Sequence, residues 1–196
     1  MSFLEVLQRI NAALDHAGIA YMLTGSFASV YYGSPRSTQD INLVIAANPV
    51  KLQAFIAGLP RGEYYADLDA ALEAQKRESL FNLIDLKTGW KMDMIIRKAR
   101  PFSQEEFGRR QLLSMQRVSL FVASAEDVVI SKLEWSKLAQ SQRQIEDAAG
   151  ILKIRGDSLD RWYLDKWVRE LGLTKEWNEA RGIARISDPD AMDGNK

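Results

Sequence analysis

The 196-residue sequence contains no cysteine and a single histidine, His16. Without cysteine the chain can form neither a disulfide nor a thiolate metal site, and one imidazole cannot build a His-rich zinc centre. Lys+Arg and Asp+Glu both number 26, so the chain has no global positive field that would hold a nucleic acid.

A long apolar stretch is also missing. No charge-free run approaches the ~20 residues that a membrane span needs. The first 20 residues carry Glu5, Arg9 and Asp15, where a signal peptide would be uncharged. Hydrophobic content of 46 % with 27 % charged residues is typical of an ordered globular chain. We therefore expect a cytoplasmic protein without a membrane partner.

Periodicity predicts an α+β fold with a mixed sheet flanked by helices. Ser2 with Glu5 forms a capping-box pattern that opens a first helix, which ends at Gly18. Further helices are predicted at 26–32, 49–58, 67–77 and 104–111, and strands at 19–23, 40–46, 80–86, 91–97 and 118–123. Four helices follow, at 125–138, 142–154, 159–171 and 174–184. The expected domains are a core at 1–123, a helical module at 124–186 that packs on it, and a polar tail at 187–196.

The stretch TGSFASVYYGSPRSTQDINLVI, residues 24–45, carries the most specific pattern. Gly25 lets the backbone approach a phosphate closely, the start of the following helix favours anions, and Ser26 adds a hydroxyl donor. On the next strand, Asp40 and Asn42 stand at i and i+2, so both side chains project on one face. These features predict a site for a nucleoside triphosphate.

A third acid on a neighbouring strand would complete a site for two Mg²⁺ ions. Asp93, embedded in the apolar strand KMDMII, is the candidate. Asp85, across the predicted hairpin, is its rival because the turn register cannot be read from sequence. Asp93 can alternatively be a structural acid that pairs with Lys91 or Arg97.

This arrangement resembles the nucleotidyltransferase superfamily that shares the DNA polymerase beta fold. Its pattern is a hydrophobic residue, Gly-Gly or Gly-Ser, about a dozen residues, then acid–hydrophobic–acid. Here thirteen residues separate Ser26 from Asp40. Together with SAEDVVISKLEW, Arg143 and Asp147, the fuller string is similar to the minimal bacterial nucleotidyltransferases related to the abortive-infection toxin AbiEii, over roughly residues 21–152.

The resemblance implies a nucleotidyltransferase-fold sheet followed by a C-terminal helical module. It implies transfer of a nucleoside monophosphate from a triphosphate to a hydroxyl of tRNA or protein, with Mg²⁺ as cofactor and an antitoxin protein as a possible partner. It also places Lys132 near the triphosphate and makes Arg143 and Asp147 site or supporting residues. Alternatively, Lys132 is a surface lysine and the other two form an exposed helical salt bridge.

Asn42 departs from the pattern, because an amide has no negative charge and cannot bridge two ions as a carboxylate does. The chain is then a working transferase that tolerates a neutral ligand, a relative that binds nucleotide or a partner without turnover, or an inactivated variant. Two basic features could face a phosphate, an RNA end or simply solvent. They are the loop residue Arg36 and a cluster of six cations, namely Arg97, Lys98, Arg100, Arg109, Arg110 and Arg117.

Overall fold

Helices and strands alternate through the first two thirds of the chain, and helices alone form the last third. The computed structural model describes residues 3–33, 40–115 and 118–185. The helices are α1 (Phe3–His16), α2 (Gly25–Tyr32), α3 (Pro49–Gly58), α4 (Leu68–Arg77), α5 (Pro101–Gly108), α6 (Ala125–Ala139), α7 (Gln142–Arg155), α8 (Arg161–Glu170) and α9 (Thr174–Ala184). The strands are β1 (Ala20–Thr24), β2 (Asp40–Ala46), β3 (Tyr64–Ala66), β4 (Leu80–Asp85), β5 (Lys91–Ile96), β6 (Gln111–Met115) and β7 (Val118–Val122).

The strands form one mixed sheet in the order β3-β4-β5-β2-β1-β7-β6. The pairs β2–β5 and β1–β7 are parallel, and the other neighbours are antiparallel. The predicted fold class, a mixed sheet with flanking helices in an α+β chain, is thereby confirmed. The hairpin of β4 and β5 is also confirmed, with Asn82 opposite Asp93.

Burial alternates along β4 and β5, with every second residue buried, as expected for strands that turn one face to the core. On β2 the side chains of Ile41, Leu43 and Ile45 are buried, whereas Asp40 is exposed and Asn42 is partly exposed. The apolar face of α1 packs near β1, and α4 packs near β4. The opposite sheet face therefore carries the polar positions of β2 and its neighbours.

Local capping accounts for helix starts that the sequence predicts well. Asn48 caps α3, accepting a hydrogen bond from the Lys51 backbone N–H at 2.9 Å, with Pro49 in the first turn. Asp67 caps α4 in the same way, with the Ala70 N–H at 3.0 Å. These bonds satisfy donors that a helix start otherwise leaves without partners.

The described residues divide into two compact units. The first comprises residues 3–27, 40–115 and 118–124, with all seven strands of the described sheet, and the second comprises residues 28–33 and 125–185. The division thus falls within α2 and again between Ser124 and Ala125. Ser2, Arg36, Arg117 and residues 187–196, about which the sequence made predictions, lie outside the described residues.

The sequence patterns missed two edge strands and misplaced one helix. β3 and β6 were not predicted, and α5 covers Pro101–Gly108 instead of 104–111. Pro101 occupies the first turn of α5, so the helix starts at the proline. Within the described ranges, no helix is both long enough and apolar enough to cross a membrane.

Candidate active site

Asp40, Asn42 and Asp93 lie on one face of two neighbouring strands. β2 and β5 are parallel, and their register places Asn42 directly beside Asp93 and Asp40 beside Lys91. Side chains of paired residues point to the same face, and Asp40 stands two residues from the partner of Asp93. The register therefore brings the two carboxylates and the amide to one small area of the sheet.

A glycine bend closes this area on the side of β1. Thr24 at the end of β1 pairs with Asn42, and α2 begins at the next residue, Gly25. Gly25 has a φ of +68°, and a Cβ built there would lie 2.7 Å from Nδ2 and 2.9 Å from Cγ of Asn42. Both the left-handed backbone and the packing of the amide against it require glycine. Ser26 follows and is buried.

Replacing Gly25 with Ala should destabilise the protein by about 2–4 kcal/mol, because it adds backbone strain at positive φ and a close contact with Asn42. Gly62→Ala is the matched control, since Gly62 has a φ of +77° and nothing within 4 Å of a built Cβ. Urea unfolding should show a loss of only about 1–2 kcal/mol for the control. Equal losses in the two variants would contradict a close contact at Gly25.

The Asp93 carboxylate has two polar partners on the same face. Asn82 donates its side-chain N–H to Oδ1 at 2.7 Å, and the Lys91 ammonium lies 3.1 Å from the same oxygen. Both contacts end on Oδ1, so Oδ2 is the oxygen with which Asp93 can take a further cation. Lys91 is one of the partners that the sequence predicts for Asp93, whereas Asn82 carries no sequence signal because only the hairpin register reveals it.

Asp85 has a different role from Asp93. Its side chain is fully buried on the other face of β4, where it pairs with Arg9. Its Oδ1 also accepts the backbone N–H groups of Lys87 and Thr88, at 3.0 and 3.1 Å, so it fixes the hairpin turn. Asp85 is therefore a structural acid, and the geometry removes it as the third site carboxylate.

Two of the residues suggested by the family resemblance form an ion pair inside the second unit. Lys132 on α6 and Asp147 on α7 are both buried, and their Nζ and Oδ2 atoms are 2.7 Å apart. Arg143, also on α7, is exposed. The interpretation of Lys132 as a surface lysine is wrong, because the structure buries it against a carboxylate. Its contact with a triphosphate stays a prediction.

The second unit contains further buried polar contacts. The Tyr163 hydroxyl donates to Asp127 at 2.5 Å, and the Asp160 backbone N–H donates to Glu126 at 3.0 Å, so these hydrogen bonds join α6 to α8.

On α2, burial raises the pKa of Tyr32, with smaller contributions from neighbouring groups, including Tyr31. The phenol of Tyr32 therefore stays neutral at ordinary pH.

Three arginines of the predicted basic cluster lie over aromatic rings. The guanidinium carbon of Arg110 lies 4.4 Å from the ring centroid of Phe107 and 5.0 Å from that of Phe121. Arg97 also lies over Phe107, and Arg100 over Phe102, both at 5.4 Å. These cations stabilise local packing in the first unit. These contacts favour a structural role for the three arginines over a role as a fully solvent-exposed basic patch.

The donor set fits one hard divalent cation and does not fit two. Asp40 and Asp93 supply carboxylate oxygens and Asn42 an amide oxygen, which are the ligands that Mg²⁺ takes. A second ion would need a bridging carboxylate where Asn42 stands and would meet the Lys91 ammonium on Asp93. In the described part of the chain, no three His, Cys, Asp or Glu side chains group in a way that could hold a metal.

Comparison with solved structures shows which fold this geometry belongs to. No family model and no curated protein matches the sequence. The antibiotic-resistance factor ANT(2'')-Ia is similar with a TM-score of 0.56 at 13 % identity, covering 91 % of this chain and 96 % of that one. An antigenic nucleotidyltransferase-like protein from Paracoccidioides brasiliensis is similar with a TM-score of 0.54 at 14 % identity, covering 98 % and 96 %. The chain therefore has the fold of the nucleotidyltransferases.

Proposed function

We propose that the protein is a nucleotidyltransferase that moves a nucleoside monophosphate from a nucleoside triphosphate to a hydroxyl acceptor. One observation carries the proposal: Asp40, Asn42 and Asp93 share a sheet face beside the Gly25 bend. The same elements, a glycine turn followed by paired positions on the next strand, are what the superfamily pattern predicts for its site. The fold supports the proposal, since solved structures with this fold include a nucleotidyltransferase-like protein.

The site residues fall into two groups, one that binds the phosphates and one that binds the cation that neutralises their charge. The bend at Gly25 and the hydroxyl of Ser26 would hold the phosphates, while Asp40, Asp93 and the Asn42 amide oxygen would hold Mg²⁺. When bound, Mg²⁺ supplies positive charge that offsets the charge of the phosphates. The acceptor oxygen forms a bond to the α-phosphorus, and the bond between the α-phosphorus and the oxygen that bridges it to the β-phosphorus breaks. Pyrophosphate leaves, and the hydroxyl proton passes to a site carboxylate or to water. Catalysis is then mostly positioning and electrostatic stabilisation.

The acceptor and the biological setting rest on the sequence resemblance to the AbiEii-like group. That resemblance favours a hydroxyl of tRNA or protein as acceptor, and a bacterial toxin–antitoxin or defence context with an antitoxin partner. Nucleotide contacts from Arg36, Lys132, Arg143 and Asp147 belong to the same part of the proposal.

Incubation with labelled nucleoside triphosphates, Mg²⁺ and a pool of tRNA tests the enzyme proposal. Wild type should transfer label slowly, and Asn42→Asp should transfer it faster by about 10-fold or more, because a third carboxylate strengthens cation binding. Chelation of the metal should stop both reactions. Absence of transfer to tRNA and to added protein acceptors, even with Asn42→Asp, would defeat the proposal.

A second candidate function is nucleotide binding without turnover. It is favoured by the neutral Asn42 and by the contact between Lys91 and Asp93, which together weaken a two-ion site. Calorimetric binding of ATP or GTP that persists after addition of EDTA would support this candidate. Loss of binding with EDTA would count against it.

A further inference from the structure

Lys91 occupies a position on the candidate site that no part of the sequence pattern assigns. It precedes Asp93 by two residues on β5, so both side chains project from the same face. Across the sheet it is paired in register with Asp40. Its ammonium lies 3.1 Å from Oδ1 of Asp93, and the side chain is about two fifths exposed, at 43 %. The ammonium therefore contacts the Asp93 carboxylate on the sheet face that also carries Asp40.

The charges at this face balance differently from those of a site with three acids. Asp40 and Asp93 contribute −2, Lys91 contributes +1 and Asn42 contributes nothing, which leaves a net charge of −1 on these four side chains. Two divalent ions would add +4 to that charge, whereas one ion adds +2. Each ion that approaches Asp93 also meets the repulsion of the ammonium at short range.

We propose that the Lys91 ammonium takes the place of one of the two divalent cations, so that the site holds a single ion. The proposal deepens the nucleotidyltransferase assignment and rests on it for the identity of the site. Asn42 and Lys91 then act together. The amide at position 42 cannot bridge two ions as a carboxylate would, and the lysine supplies a positive charge beside Asp93. Lys91 has three N–H donors, and those that do not face Asp93 would be available to phosphate oxygens of a bound nucleotide.

Counting bound Mn²⁺ by the electron paramagnetic resonance signal of the free ion tests this directly, on the full chain and without nucleotide. Wild type should bind one Mn²⁺ per chain. Lys91→Met should still bind one, at least about tenfold more tightly, because the competing ammonium is gone. The double variant Lys91→Met/Asn42→Asp should bind two. Lys87→Met, which removes an exposed lysine from the turn of the same hairpin, should match wild type.

Three results would overturn the proposal: two ions on the wild type, one ion on the double variant, or no Mn²⁺ binding by any variant. The ion count is independent of the transfer assay. The expected ion counts without any label transfer would defeat the nucleotidyltransferase assignment and leave the one-ion site standing. Label transfer with an unchanged count in the double variant would overturn the role of Lys91 alone.

Discussion

Replacing Asp40 with Asn is expected to lower the rate of nucleotidyl transfer about 10²- to 10³-fold, the loss that follows removal of one electrostatic contact to a transition state. The substitution keeps the size of the side chain and removes one of two carboxylates on the site face. With Lys91 present, the net charge of the four facing side chains would rise from −1 to 0. A divalent cation then has no electrostatic preference for the site.

The measurement is the initial rate of label incorporation at saturating Mg²⁺, made in parallel in the wild-type and Asn42→Asp backgrounds. Asp69→Asn is the matched control, because Asp69 is an exposed acid in the first turn of α4. The control should retain the wild-type rate. Because Asp40 is exposed at the start of β2, its variant should also unfold at the same urea concentration as wild type. An undiminished rate in Asp40→Asn would show that this carboxylate holds no part of the reaction.

The elements with strong local signals are those that the sequence predicts closely. The helix Pro49–Gly58 has the predicted bounds, because an Asn cap and a proline fix its start. The strand Asp40–Ala46 also agrees, since alternation marks its two faces. The edge strands Tyr64–Ala66 and Gln111–Met115 carry no such signal, and only their partners define them. Short edge strands are tertiary features that local patterns do not encode.

The candidate site shows the same division between local and non-local information. The i, i+2 spacing places Asp40 and Asn42 on one face from sequence alone. The choice between Asp93 and Asp85 depends on the register of the hairpin, because a slip of one residue would turn one strand over and put both acids on the same face. Likewise, the sequence suggested a contact between Arg143 and Asp147 within one helix. The structure instead joins Asp147 to Lys132 on another helix, 15 residues away in the chain.

Lys132→Met should destabilise the helical unit by about 3–5 kcal/mol, the usual cost of removing one partner of a buried ion pair. The Lys132 side chain is 5 % exposed and that of Asp147 is 8 % exposed, so the carboxylate would be left buried without its cation at 2.7 Å. For a chain of this length the loss corresponds to a fall in Tm of roughly 10–15 °C. Urea unfolding followed by circular dichroism measures it.

Two further variants separate a structural lysine from a ligand of phosphate. Lys153→Met removes an exposed lysine from α7 and should cost less than about 0.5 kcal/mol. Lys132→Met/Asp147→Leu removes both charges and should recover most of the lost stability, because an apolar pair of similar volume often replaces a buried ion pair without net cost. If Lys132→Met instead kept wild-type stability and weakened ATP binding, the lysine would serve the triphosphate, as the family resemblance implies, and the pair with Asp147 would contribute little to the fold.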